Sequence, residues 1–383
     1  MAGKEQEVVE AALRLLDQTF RRSPRFLLVL ARKAPIYLRK AAPGCYGFLI
    51  PTKKDDLVSK AVNEDVWRLL TTFRSPRTAR GAGLATSDHE QFVAKQLIDK
   101  VLEVRCESGF ESGVEALRAT SGEKDVPARS RIELLSRRAI ELAYASGMND
   151  PGLLAARLYC YNRSPLSSKW RERLPDQAAV FDFLRLRADG SWPGMPRTIS
   201  PLRNEYWHRW EVRGAPRLST RAPIYKVYLS PLIENAGAVL HHALTELPSA
   251  GAGQLKVGRL VAGLLRPDKI VVYFAISKDA EIFARRLAAG APGRAHGVPF
   301  TCQVGATGLV SLGVDPPELK RKSSDDDGGS WRSWVAHRIA RAIVTVRREA
   351  PAEPIAGVFS AVRAAGIDTE RWLPASDHWD FSR

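Results

Sequence analysis

The sequence predicts an α+β protein. It reads as a small N-terminal α+β unit over residues 1–120, a helical and loop-rich segment over 121–200, and a C-terminal mixed α/β domain with a central sheet over 201–383. Three observations predict this. First, between Ile224 and Pro317 apolar and charged residues alternate in short bursts: Ile224-Tyr-Lys-Val-Tyr-Leu229, Gln254-Leu-Lys-Val257, Arg266-Pro-Asp-Lys-Ile-Val-Val-Tyr-Phe274 and Val298-Pro-Phe-Thr301. Alternation at period two marks a half-buried strand. Second, apolar residues elsewhere return at helical spacing, as in Val8–Phe20 and Ser130–Ser146. Third, Thr120–Ala128 has the polar, Gly- and Pro-containing composition of a linker.

Element by element, Val8–Phe20 predicts a first helix. Phe26–Leu30 and Tyr46–Ile50 predict strands on either side of a basic, Pro-containing turn. Leu57–Phe73 and Glu90–Val104 predict helices, with an Arg/Gly/Thr-rich loop over 75–87 between them. Ser130–Ser146 and Pro151–Tyr161 predict two more helices, followed by a loop-rich tract whose Trp170 and Trp192 either line a pocket or pack under the loop. From Leu202 strands are expected near 205–213, 223–229, 254–260, 270–276 and 299–304. Helices fit 233–247, 278–289, 331–348 and 355–364, and Lys320–Gly329 reads as a solvated loop.

The net charge of +16, with 16 lysines against 42 arginines, implies an anionic partner such as nucleic acid, a membrane surface, an acidic peptide or a phosphorylated substrate. The cations are spread along the chain and form no tail. Cysteines stand alone at 45, 106, 160 and 302, without the clustered spacing of a zinc site, and read as free thiols in a reducing cytoplasm. No apolar run approaches the roughly 20 residues of a membrane span, and the N-terminal segment is no signal peptide. A cytoplasmic protein is expected, without a metal or cofactor. Phosphate-cradling glycine loops, the protein-kinase signatures and the nucleophile elbow are all missing. His241 and His242 are adjacent in a predicted helix and do not share a face. His296, in a Gly/Pro/Ala-rich loop, and His337, beside Trp334, are further histidines to place.

Lys226 and Tyr228 fall on one face of their strand and Lys256 on one face of its own, so cations ride on rigid elements where they can be aimed. Such lysines either solvate a sheet face or converge, with Arg266, on an anion. The run Arg203-Asn-Glu-Tyr-Trp-His-Arg-Trp210 is dense in groups that bind oxyanions or move protons; as a strand it aligns Tyr206, His208 and Trp210, either for chemistry or for packing.

In order along the chain, Tyr225-Lys-Val-Tyr-Leu229, Leu255-Lys-Val257, Arg266-Pro-Asp-Lys-Ile-Val-Val-Tyr-Phe274, Val298-Pro-Phe-Thr301, Gly308–Pro317 and Gly366-Ile-Asp-Thr-Glu-Arg-Trp-Leu-Pro374 resemble the HopA-type effector domain family, first named for a bacterial type III secretion effector. Leu158-Tyr-Cys-Tyr-Asn-Arg163 also looks familial, and the resemblance spans about 150–375. It implies a lyase of lanthipeptide and thioamide-peptide biosynthesis. A separate kinase-like protein phosphorylates Ser or Thr of a leader-bearing precursor peptide, and the lyase eliminates phosphate to give dehydroalanine or dehydrobutyrine, with possible help in later cyclisation.

β-Elimination removes a weakly acidic Cα proton, stabilises an enolate-like oxygen and releases a dianion, so preorganised cations supply its main electrostatic term. Lys226 is expected as the base, with His208 as leaving-group acid or carbonyl polariser and Tyr228 as a further catalytic group. Lys256, Arg266, Arg203 and Lys269 are expected around the phosphate, with Asp268 and Asn204 in support. The first 120 residues are a candidate docking unit for precursor or partner. A non-catalytic phosphopeptide scaffold that recruits a kinase is the alternative; nucleic-acid binding ranks last, for want of a recognition helix or stacking motif.

Overall fold

The structure is a computed structural model that describes residues 15–52, 59–85, 87–106, 109–121, 130–202, 207–219, 221–316 and 329–375. It is α+β throughout. Contacts group the chain into two units: Met1–Asp125 with Val346–Gly366, and Val126–Thr345 with Ile367–Arg383. The predicted helical segment thus falls in the same unit as the central sheet. The helix Pro354–Ala364 falls with the N-terminal residues, where it packs against the helices Ser87–Ile98 and Val114–Ser121.

The first unit holds strands β1 (Thr19–Arg22), β2 (Phe26–Leu30), β3 (Gly47–Pro51), β4 (Lys60–Val62), β5 (Arg77–Thr78), β6 (Leu102–Cys106) and β7 (Gly109–Glu111). They form two sheets, β5-β1-β6-β7 and β2-β3-β4. Phe20, Phe26, Leu49, Phe73, Leu97 and Val104 lie in its core. Local signals redraw three expected helices. Thr19–Arg22 is strand where the first helix was to continue; residues 8–14 of that expectation lie outside the described ones. Asn63 caps the helix Glu64–Thr72 by accepting from the Val66 N–H, so the residues before it are free to form β4. The helix Ser87–Ile98 stops where Lys100 turns left-handed (φ 59°), and β6 follows.

The second unit is built on a seven-stranded antiparallel sheet. Its strands are β8 (Ile199–Leu202), β9 (Trp207–Val212), β10 (Ile224–Leu229), β11 (Ala252–Gly258), β12 (Ile270–Phe274), β13 (Cys302–Val304) and β14 (Val310–Asp315), in the order β13-β14-β10-β12-β11-β9-β8. A two-stranded ribbon of β15 (Ile367–Asp368) and β16 (Leu373–Pro374) completes the unit. β14 was not among the expected strands, and the strand expected at 299–304 shortens to β13 because Phe300 is left-handed (φ 63°). Most of the predicted loop at 320–329 lies outside the described residues.

The pleat divides the sheet into two faces. Val227 and Leu229, Leu255 and Val257, Ile270, Val272 and Phe274, and Trp210 enter one core with the helices Ala236–Glu246 and Ser277–Gly290. Trp170 and Trp192 pack in that same core, which settles their role as packing residues. Leu255 is fully buried there. Leu255→Ala is expected to lower stability by about 2–5 kcal/mol, read from the urea midpoint, because it leaves a cavity as well as losing transferred surface.

Candidate functional site

The opposite face of the sheet carries the charges. Register sets Lys226 of β10 beside Tyr273 of β12 and Gly313 of β14, and sets Lys256 of β11 beside Val271 of β12 and Arg209 of β9. Two predicted lysines therefore share one face. Tyr273 lies between them, its ring centroid 5.1 Å from the Lys226 ammonium and 5.5 Å from that of Lys256. Trp207 places its ring 4.1 Å from Lys256 Nζ and 5.3 Å from the Arg266 guanidinium. β14 passes close because residue 313 is glycine: a Cβ there would meet Trp331 at 2.8 Å and Tyr228 at 2.9 Å.

The lysines differ in their partners. Lys226 is buried and its Nζ lies 2.6 Å from Asp315 Oδ2. Asp315 in turn accepts the Trp331 N–H through Oδ1 at 2.7 Å, which fixes the carboxylate at the start of the helix Trp331–Glu349. Lys256 is half-buried and forms no ion pair among the described residues. Burial, and next the charge of Lys226, push its pKa down to about 7. The expectation that Lys226 is the base therefore meets an obstacle: its ammonium is buried and already engaged by its own carboxylate. Burial pushes Lys269 down to about 7 as well, but of the two Lys256 is the one on this face.

Asp268 organises the rest. Arg266 donates to it in a fork, Nε to Oδ1 at 2.8 Å and Nη2 to Oδ2 at 3.0 Å. Arg332, only 1% exposed, lies 3.0 Å from Oδ2 through Nη1. Tyr159 accepts from Arg266 through its hydroxyl at 2.9 Å and from Arg332 through its backbone carbonyl at 2.8 Å. Burial pushes the Asp268 carboxyl up, but Arg332 and then Arg266 pull it down further, leaving it well below the usual carboxylate range. Two guanidiniums on one carboxylate leave the cluster net positive, and the Arg266 side chain keeps 24% exposure.

The remaining predicted residues lie elsewhere or act otherwise. His208 is a correction: it sits opposite Val257, so the pleat turns it to the apolar face, where its ring meets Phe181 at 4.9 Å and Trp210 at 4.4 Å. Burial lowers its pKa. It cannot reach a group bound by Lys226 and Lys256. Lys269 is fully buried and its Nζ donates to the Pro231 carbonyl at 2.8 Å and lies 2.9 Å from His296 Nδ1. These two contacts tie it to the Pro231 carbonyl and the His296 ring. His296 is buried as well, and burial followed by Lys269 pushes it down to about 4. His241 and His337 each bond to a backbone carbonyl, of Leu184 at 2.9 Å and of Ser333 at 2.8 Å. Tyr228 shares the charged face but is buried with Val271, Tyr273 and Val298, and burial, then Asp315, push its phenol well above its ordinary value. Arg203 and Asn204 lie outside the described residues.

Asp315, Arg332, Tyr159, Tyr273 and Arg209 were not foreseen. The alternation Val310-Ser-Leu-Gly-Val-Asp315 was a signal for β14 and hence for Asp315. Arg332 carried none, since an arginine at a helix start is ordinarily exposed. Among the described residues no three His, Cys, Asp or Glu side chains are grouped to hold a metal ion, and no helix is long and apolar enough to cross a membrane. All four cysteines are free thiols.

No protein-family model matches the sequence, and no curated protein matches it. Among solved structures, the fold is similar to an effector protein from Pseudomonas syringae pv. syringae strain 61, at TM-score 0.43 and 14% identity over 65% of this chain and 99% of that one. An effector protein from Pseudomonas syringae pv. tomato strain DC3000 gives TM-score 0.42 and 13% identity over 64% of this chain and 99% of that one.

Removing the central anion tests the cluster's energetics. Asp268→Asn strands two guanidiniums, one of them buried, and is expected to cost about 3–5 kcal/mol in denaturant unfolding. Exposed Glu64→Gln, which breaks a surface pair with Arg68, is expected to change stability by less than about 0.5 kcal/mol.

Proposed function

We propose that the charged face is the active site of a phosphoserine/phosphothreonine lyase acting on a peptide phosphorylated by a separate kinase. One observation carries the reading: a partly buried lysine pushed down to about 7 stands beside Lys226 and Arg266, each of which is paired with a carboxylate. The resemblance of the sequence pieces that build this face to the HopA-type domain family supports the same chemistry.

In this reading Lys256 in its neutral form takes the Cα proton. The electron pair of the C–H bond becomes the Cα–Cβ double bond, and the Cβ–O bond breaks with its pair leaving on phosphate. The proton held on Lys256 passes through water to the departing phosphate, so the net products are the dehydroamino acid and hydrogen phosphate, with the lysine regenerated. Arg266, the one guanidinium of the cluster with an exposed edge, faces the leaving dianion. Lys226 and Arg332 stay behind it and supply fixed positive potential in a water-poor setting. Tyr228 and Tyr273 remain protonated because burial raises both phenols. No separate leaving-group acid stands where His208 had been expected; the proton returned from Lys256 through water serves the departing phosphate.

The test is mass spectrometry of a phosphoserine peptide incubated with the purified protein. Loss of phosphoric acid with a thiol-trappable product supports the lyase. Retention of phosphate on a bound peptide, also in the presence of the kinase, assigns the face to a phosphopeptide scaffold instead. The rate is expected to rise with pH through about 7 and then level, because the neutral lysine is the reactive form. Lys256→Ala is expected to lower kcat/KM on the order of 10²–10⁴-fold. In the double variant Lys226→Met, Asp315→Asn, which removes the neighbouring charge without stranding the carboxylate, the midpoint of the pH–rate curve is expected to move upward.

A further inference from the structure

We propose that the edge of the β2-β3-β4 sheet is a docking site for an extended acidic peptide segment. Between Gln18 and Thr52 the sequence has seven arginines and lysines and no aspartate or glutamate. The structure shows what this stretch builds. β2, Phe26-Leu-Leu-Val-Leu30, is an edge strand that pairs only with β3. Thr52 donates to the Arg25 carbonyl at 2.8 Å and Ala31 to the Tyr46 carbonyl at 3.0 Å. With that register, residues 25, 27, 29 and 31 exchange their backbone bonds with β3, and Leu28 and Leu30 aim theirs away from it. Leu30 caps the short 3-10 turn Ala31–Lys33, which takes its carbonyl; among the described residues no backbone group meets the Leu28 N–H and carbonyl or the Leu30 N–H.

Edge strands are ordinarily guarded by a charge, a proline or a bulge. β2 has none of these. Its Leu27 is 57% exposed. The chain then runs through a six-residue helix, Ile36–Ala41, that buries no side chain and leaves Ile36 63% and Tyr37 64% exposed. Arg32, Lys33, Arg39 and Lys40 stand exposed around these apolar groups and form no ion pair among the described residues.

An unguarded ladder, apolar side chains beside it and unopposed cations at its end define the partner. A polypeptide added as a strand satisfies the Leu28 backbone groups and the Leu30 N–H, lays alternate apolar side chains beside Leu27, and meets the cations with carboxylates. A nucleic acid or a lipid surface answers the cations but leaves the ladder unmet. That the docked segment belongs to the peptide being modified rests on the lyase reading; the docking does not.

Fluorescence anisotropy of the full chain with a labelled synthetic peptide alternating glutamate and valine tests it. Binding is expected, with loss on replacing each glutamate by lysine and loss on methylating alternate backbone nitrogens. The exposed pair Arg32→Glu, Lys33→Glu is expected to weaken binding by about tenfold or more at low salt. Equal binding of the methylated peptide, or of the original peptide to that variant, overturns the proposal. So does light scattering that shows the free chain as a dimer broken by the same variant, which gives the edge to a second copy. Phosphate loss from a short phosphoserine peptide lacking acidic residues, measured on the same variant, is expected to match the unaltered chain. Docking without any phosphate loss removes the lyase reading alone, and phosphate loss without docking removes this one alone.

Discussion

The second unit depends on one buried carboxylate. Asp268 lies where the chain enters β12, and it receives Arg266 from the preceding turn and Arg332 from the helix Trp331–Glu349. Tyr159, on the helix Pro151–Cys160, bonds to both arginines. Three segments far apart in sequence are thereby fixed to the end of a central strand. Neither guanidinium tolerates burial without the anion, and the anion would not stay ionised without them. The result is an over-determined joint with net positive charge, set against the face of the sheet that carries the lysines.

That joint explains why the two lysines behave differently. Positive potential from Arg266 and Arg332 acts on the whole face, but Lys226 has Asp315 at ion-pair distance. Lys256 has aromatic rings instead of a carboxylate. A ring face attracts an ammonium by roughly 0.5–2 kcal/mol. That is too little to offset burial together with like charge, and the lysine titrates near 7. Strong perturbation at a half-exposed group beside fixed charges is the pattern of chemistry more often than of packing.

Much of this was legible in the sequence, for definite reasons. Period-two alternation assigned Ile224–Leu229, Gln254–Val257 and Ile270–Phe274 to strands and put Lys226 and Lys256 on faces, because the pleat allows no other arrangement. What alternation does not reveal is the order and register of strands. His208 looked equivalent to the lysines until pairing with β11 set it opposite Val257, on the apolar face. Lys269 follows Asp268 directly, yet the two side chains belong to different networks because one meets Arg266 and the other the Pro231 carbonyl. Asp315 was missed although Val310–Asp315 alternates, because alternation does not say that this strand pairs with β10 and so brings its carboxylate to Lys226. Gly313 admits Trp331 and Tyr228 so closely that β14 can bring its carboxylate to Lys226. In the first unit, helix limits failed where a single cap or a left-handed residue decided them, at Asn63 and Lys100.

The geometry of the cations also narrows what they recognise. A polyanion such as nucleic acid is held by exposed side chains that track a backbone in solvent. Here Lys226 is 5% exposed and Arg332 1%, beneath the surface that a long backbone could touch. Among the described residues the charge of this face reaches outward through Lys256, its neighbour Arg209 and the edge of Arg266. A compact, terminal dianion concentrates its charge on that small window, and the buried pairs behind it add potential without competing for contact. The overall charge of +16 therefore describes a different property of the chain from the one that makes this face selective. Of the lysines on this face, Lys256 is the one whose pKa is pushed down to about 7, by burial and then by Lys226.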